Sequence, residues 1–117
     1  MAEPNILKMT SSQGKSAVAS NIGTGGTTVI SAVTTGYVAK VNAIYASNQL
    51  STDTLCSVYL TRSSVDYAIA TSITVPVGTT LDVLSKSIYL QEGDSLKIQA
   101  GDAAGLDAVV SYEEVTE

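Results

Sequence analysis

Between Ile73 and Tyr112 the chain alternates apolar and polar residues in short runs, with turn residues between the runs and no helical period. The runs are Ile73-Thr74-Val75, Leu81-Asp82-Val83-Leu84, Ser87-Ile88-Tyr89-Leu90, Ser95 to Ala100 and Leu106 to Tyr112. Pro76 with Gly78, Glu92-Gly93-Asp94 and the stretch from Gly101 to Gly105 separate them. A period of two sends alternate side chains to opposite faces, so each run is a strand with one buried face. Strands at this spacing predict an all-β fold, a β-sandwich or small barrel, and the expected form is a two-sheet antiparallel β-sandwich, jelly-roll-like, with about eight strands.

The upstream half extends the pattern. Thr27 to Val33 and Gly36 to Ala46 read as strands joined by the turn Thr34-Thr35-Gly36, and Ser47 to Asp53 is a polar loop. Thr54 to Arg62 and Val65 to Ala70 form a hairpin through Ser63-Ser64. Cys56, Val58 and Leu60 alternate toward the interior, which makes Cys56 a buried, inert thiol. On the strand from Gly36, strict alternation places Tyr37, Ala39, Val41, Ala43 and Tyr45 on one face.

Residues 1–26 differ from the rest. They are polar and rich in Gly and Ser, the composition of an extended N-terminal arm, with Gly23-Thr24-Gly25-Gly26 as its hinge. The expected organisation is an arm over 1–26 and a β-sandwich domain over 27–117; a local wrap of the arm over its own sandwich and a first strand within 6–10 or 16–20 are the competing readings. Ordering an arm costs roughly 1–2 kcal/mol per residue, more than Ile6, Leu7, Met9, Val18 and Ile22 recover on one small domain. Partner chains are therefore expected to hold it.

Charge and chemistry exclude several functions. The net charge is −5, and the six basic residues are scattered, whereas a phosphate backbone needs clustered Lys and Arg. No nucleic acid partner is expected, and no membrane partner, because no run approaches the ~18 apolar residues of a spanning helix. Met1-Ala2-Glu3-Pro4 does not read as a secretory signal. With no His and one Cys, neither a Ser-His-Asp nor a Cys-His site can be built, and the usual zinc ligands are missing. Asp66, Asp82, Asp94 and Asp107 are candidates for a carboxylate pair, but turns and outward strand positions leave carboxylates with ordinary acidity. Asp94, Asp102 and Asp107 offer oxygen ligands to calcium without the spacing of a known loop. The expectation is a non-enzymatic protein with no cofactor and no metal. Charged residues make up only 15% of the chain, so its surface favours association. Six Tyr and no Trp leave sugar binding through Tyr37, Tyr45 and Tyr59 as a lesser reading.

Four blocks in order carry a resemblance: Lys40 to Asn48, Ser72 to Leu84, Ile88 to Ile98 with its Leu90-Gln91-Glu92-Gly93-Asp94-Ser95-Leu96-Lys97-Ile98 element, and Val109 to Glu114. Together they resemble small virion structural proteins of tailed bacteriophages, cyanophages among them. The resemblance implies a capsid cement or decoration protein on the virion surface, made in the host cytoplasm, with the major capsid protein as partner and a homo-oligomer, a trimer, as its form. Neck or tail placement is the alternative, and a carbohydrate- or receptor-binding module a further one. In the cement role the arm would bridge capsid subunits, with Ile6, Leu7, Met9, Val18 and Ile22 as anchors and Lys8 and Lys15 paired with shell carboxylates.

Overall fold

A computed structural model describes residues 11–116. Nine strands occupy them: β1 (Ser11–Ile22), β2 (Thr27–Ile30), β3 (Tyr37–Asn48), β4 (Thr54–Arg62), β5 (Val65–Val75), β6 (Thr80–Asp82), β7 (Ile88–Leu90), β8 (Ser95–Ala100) and β9 (Leu106–Thr116). One sheet runs β1-β9-β3-β6 with β7 also on β3, and the other runs β2-β8-β4-β5; every pairing is antiparallel. Strands β6 and β7 lie along the same flank of β3, at Tyr45–Ser47 and Ala39–Val41, and act as one interrupted edge strand. Counted so, the two four-membered sheets have the interleaved order of a jelly roll. The fold is the β-sandwich that the alternation predicts.

The core lies between the sheets. Val41, Ile44, Leu106 and Val110 from one sheet meet Cys56, Val58, Leu96 and Ile98 from the other, all fully buried. Ala39, Ala46 and Ala108 line the inner face of the first sheet, and their small size lets the layers close without aromatic bulk.

Strand β3 departs from strict alternation. Its register against β9 shifts between Val41 and Ala43, so Asn42 is a bulge and parity reverses there. Ala39 and Val41 point inward below the bulge, Ile44 and Ala46 above it, all buried. Tyr37 therefore packs against the core while Tyr45 stands exposed on the outer face, and the shared face expected for them does not exist.

The boundary at residue 26 also needs correction. Residues 11–22 are a full strand, opposite β9 in unbroken register from Ser11 and Thr116 to Ala19 and Ala108. Composition hid it, because its inward positions are Lys15, Ala17 and Ala19, too small or too polar to register as an apolar stripe. The ordering cost is met by the backbone ladder, and Ile22 closes the end of the core with no exposed surface. Gly23 follows as a turn: its carbonyl accepts the Gly26 and Ala100 amides, and Gly26 takes a φ of +79° that favours glycine.

The two aliphatic residues of β1 should thus behave oppositely. Ile22→Ala should cost about 3 kcal/mol, the usual range for emptying a sealed core site. Val18→Ala should stay within about 0.5 kcal/mol, as at exposed sites. Urea unfolding of both variants checks this, and equal effects would place residues 11–22 outside the sandwich.

Candidate functional site

The residues expected to anchor an arm separate into four groups. Ile6, Leu7, Lys8 and Met9 lie outside the described residues. Ile22 is sealed in the chain's own core and has no surface to offer a partner, so its anchor role is withdrawn. Lys15 is already engaged: its Nζ donates to Glu114 Oε1 at 2.7 Å, and that bond raises its pKa above the ordinary lysine value. Val18 is left, 73% exposed.

Val18 is part of a row that sequence reasoning missed. It stands opposite Val109 on β9, which stands opposite Tyr45 on β3. Residues directly opposite share a face, so the three form an apolar line across the outer face of the five-stranded sheet, with Val109 and Tyr45 each 43% exposed. The adjoining row is Ser16, Ser111 and Ala43, small and uncharged. Beyond it, Lys40 lies opposite Glu113, and Glu113 accepts hydrogen bonds from Ser12 and Asn42. The result is an uncharged band two residues wide over β1, β9 and β3, in which Ala43 is itself buried, bordered by Asp82 of β6 opposite Tyr45 and by Glu113, both of which already accept hydrogen bonds. Only the β3 bulge brings Tyr45 into this band, and its effect on parity is invisible in the sequence.

The sheet edges differ in how they end. Strand β2 has four residues, β6 and β7 three each, and β5 carries two register shifts against β4 with Ser72 at a φ of +50°. Short strands and bulges blunt an edge. Strand β1 carries its irregularity only at its end, a register shift between Ala19 and Ile22 with Asn21 at a φ of +54°; from Ser11 to Ala19 it runs in regular register without proline, and among the described residues no strand covers its outer flank. Its inward residues Lys15, Ala17 and Ala19 are only half-buried, because short β2 does not cover them. Near this flank a cleft of about 170 Å³ is lined by Val29 to Thr34, Ala39, Tyr112 and Glu114.

The carboxylates serve the fold. Asp94, expected at an exposed turn, is buried, and its two oxygens accept from Arg62 Nε at 2.8 Å and Nη2 at 2.6 Å, with the Gln91 amide at 2.8 Å. Burial pushes its pKa up, but the guanidinium bonds and the Gln91 amide outweigh that and hold it below the ordinary 3.8. This bond fastens the β7–β8 turn to the end of β4. Asp82 caps the Ile44 and Leu84 amides, Asp107 accepts from the Asn21 amide, Asp102 accepts the Thr54 hydroxyl, and Asp66 binds Lys97 and Thr61. Among the described residues no three carboxylates or thiols gather as metal ligands. Tyr59 lies on the outer face of the other sheet, beneath Lys97 at 5.4 Å from its ring centre, so Tyr37, Tyr45 and Tyr59 form no common platform. Cys56 is buried, and burial pushes its thiol up to about 11.

No protein-family model matches the chain, and no curated protein matches it. A solved structure from Bacillus endospore appendages, described as a novel family of disulfide-linked pili, is similar at a TM-score of 0.56 and 14% sequence identity, over 93% of this chain and 90% of that one. That likeness is one of fold. The single thiol here is sealed in the core, so a disulfide to another chain through it would require the sandwich to open.

Arg62→Ala should destabilise the protein by about 2 kcal/mol at pH 7, less than for a fully buried pair because the arginine is half in solvent. Asp94 has a folded pKa below its unfolded value, so its contribution is full above about 3.8 and is lost as pH falls through the lower folded value. The gap between wild type and variant should therefore close in acid. Urea melts at pH 7 and pH 2.5 measure it, and a gap of constant size would remove Asp94 from the explanation.

Proposed function

We propose that this chain is a non-enzymatic structural subunit that holds neighbouring protein subunits together, and that its assembly is the virion of a tailed bacteriophage, where it acts as a cement or decoration protein on the major capsid protein. The observation that carries the reading is the exposed outer row of Val18, Val109 and Tyr45, flanked by the uncharged row of exposed Ser16, half-buried Ser111 and buried Ala43. An exposed apolar line with a satisfied polar border suits docking on another broad protein surface, where many weak contacts act together.

The virion placement is supported by the ordered sequence blocks from Lys40 to Glu114, and the holding role by the outer band. Ser11, the first described residue, begins β1, the strand that carries Val18 and Ser16 of this band. Ile6, Leu7 and Met9, with Lys8 to pair with shell carboxylates, supply a second point of attachment in this reading. Ile22 and Lys15 are not part of it, since both are committed within the fold.

Co-sedimentation with particles lacking the protein tests the reading. The full chain should pellet with the particles, and Val109→Lys combined with Tyr45→Lys should weaken binding at least tenfold while leaving the thermal melt unchanged. Undiminished binding by the double variant would dismiss the outer band. Peptide mass spectrometry of purified particles is the separate check on placement, and absence of the chain there would dismiss the virion.

A further inference from the structure

We propose that two copies of this chain join edge to edge through β1, antiparallel about a two-fold axis at Ser16, making one continuous sheet across both molecules. The inference stands on the geometry of β1 and does not depend on the virion reading.

Among the described residues no strand pairs with the outer flank of β1. Alternate residues of an edge strand direct their N–H and C=O groups outward, where water bonds them until another strand replaces that water along the whole row. The other edges of this sandwich are short or bulged, which is how single domains avoid pairing. Strand β1 is long, straight over Ser11 to Ala19, and built of Ser, Gln, Gly, Lys, Ala and Val. Its one charge, Lys15, is held on the inward side by Glu114 and does not guard the edge.

A second copy is the occupant because β1 can pair with itself without opposing like charges, and the register centred on Ser16 also sets exposed Val18 against a residue of the partner strand within Ser11 to Ala19. About a two-fold axis normal to the sheet, residue pairs across the junction have a constant sum, and paired residues share a face. Centring on Lys15 would set two like charges directly opposite one another. Centring on Ser16 sets Lys15 opposite Ala17, Gly14 opposite Val18, Gln13 opposite Ala19 and Ser12 opposite Ser20, with no charge facing a like charge. Val18, the most exposed large apolar residue described, then packs over a glycine of the second copy. The bulged β5 cannot serve as mate over the same length. On the outer face, Ala43, Ser111 and Ser16 of one copy continue into Ser16, Ser111 and Ala43 of the other, so the uncharged band spans both sheets.

Sedimentation velocity and thiol cross-linking of the full chain test this together. The wild type should sediment as a dimer at micromolar concentration, and Ser16→Glu, which puts like charges at the axis on an exposed position, should shift it to monomer with an unchanged melt. Ser16→Cys should give an interchain disulfide on mild oxidation, because residues opposite one another across an antiparallel junction bring their Cβ atoms to about 4.5–5.5 Å. Val18→Cys, opposite Gly14, should cross-link at least tenfold more slowly, and native Cys56 is buried and silent. A wild type that stays monomeric at 100 μM, whether its β1 amides exchange freely or are protected by its own first ten residues, would overturn the proposal. So would equal cross-linking at positions 16 and 18.

Discussion

Strand β9 is paired along its whole length on both flanks, by β1 from Ser11 to Ile22 and by β3 from Tyr37 to Asn48. Its inner residues Leu106, Ala108 and Val110 form the floor of the core, and its outer residue Val109 is the middle of the exposed apolar row. Without β1, the backbone of this central strand would lose half its partners, and Ile22 would no longer close the core. The N-terminal strand is therefore a condition of the fold. Among the described residues it also leaves the sheet with a long edge, regular from Ser11 to Ala19, so a requirement of stability places a feature suited to association.

Much of the sandwich was legible in the sequence because its strands alternate. Thr54 to Arg62 and Ser95 to Ala100 fall where alternation puts them, with Cys56, Val58, Leu96 and Ile98 facing inward. Three features were not legible, for three physical reasons. Strand β1 has alanines where other strands have Val, Ile or Leu, so it is held by its ladder to β9 more than by buried apolar area. The Asn42 bulge reverses parity within an apparently regular run, which dispersed the tyrosines and brought Tyr45 beside Val109. Strand β5 runs on to Val75, joining two runs that read as separate, because a bulge at Ser72 lets one strand pass through a polar stretch.

The candidate site was less legible than the fold. Val18 was singled out as an arm anchor and is indeed exposed, but on a strand of the sheet. The row it belongs to exists only through the registers of β1, β9 and β3, and no spacing in the chain announces a cross-strand row. Asp94 shows the converse: a residue typical of turns, it is drawn inside by the two-pronged bond to Arg62, where it ties the β7–β8 turn to the end of β4. Many of the carboxylates are bonded within the sandwich, and the outer face of the five-stranded sheet presents the row of Val18, Val109 and Tyr45 beside the edge of β1.

Cryo-electron microscopy of the intact assembly would decide most directly whether this molecule holds its neighbours by these surfaces. The expected map has copies paired across β1, with the outer face of the five-stranded sheet laid against an adjacent subunit. A map in which single copies touch their neighbours through the β2-β8-β4-β5 sheet, leaving Val18, Val109 and Tyr45 in solvent, would contradict it.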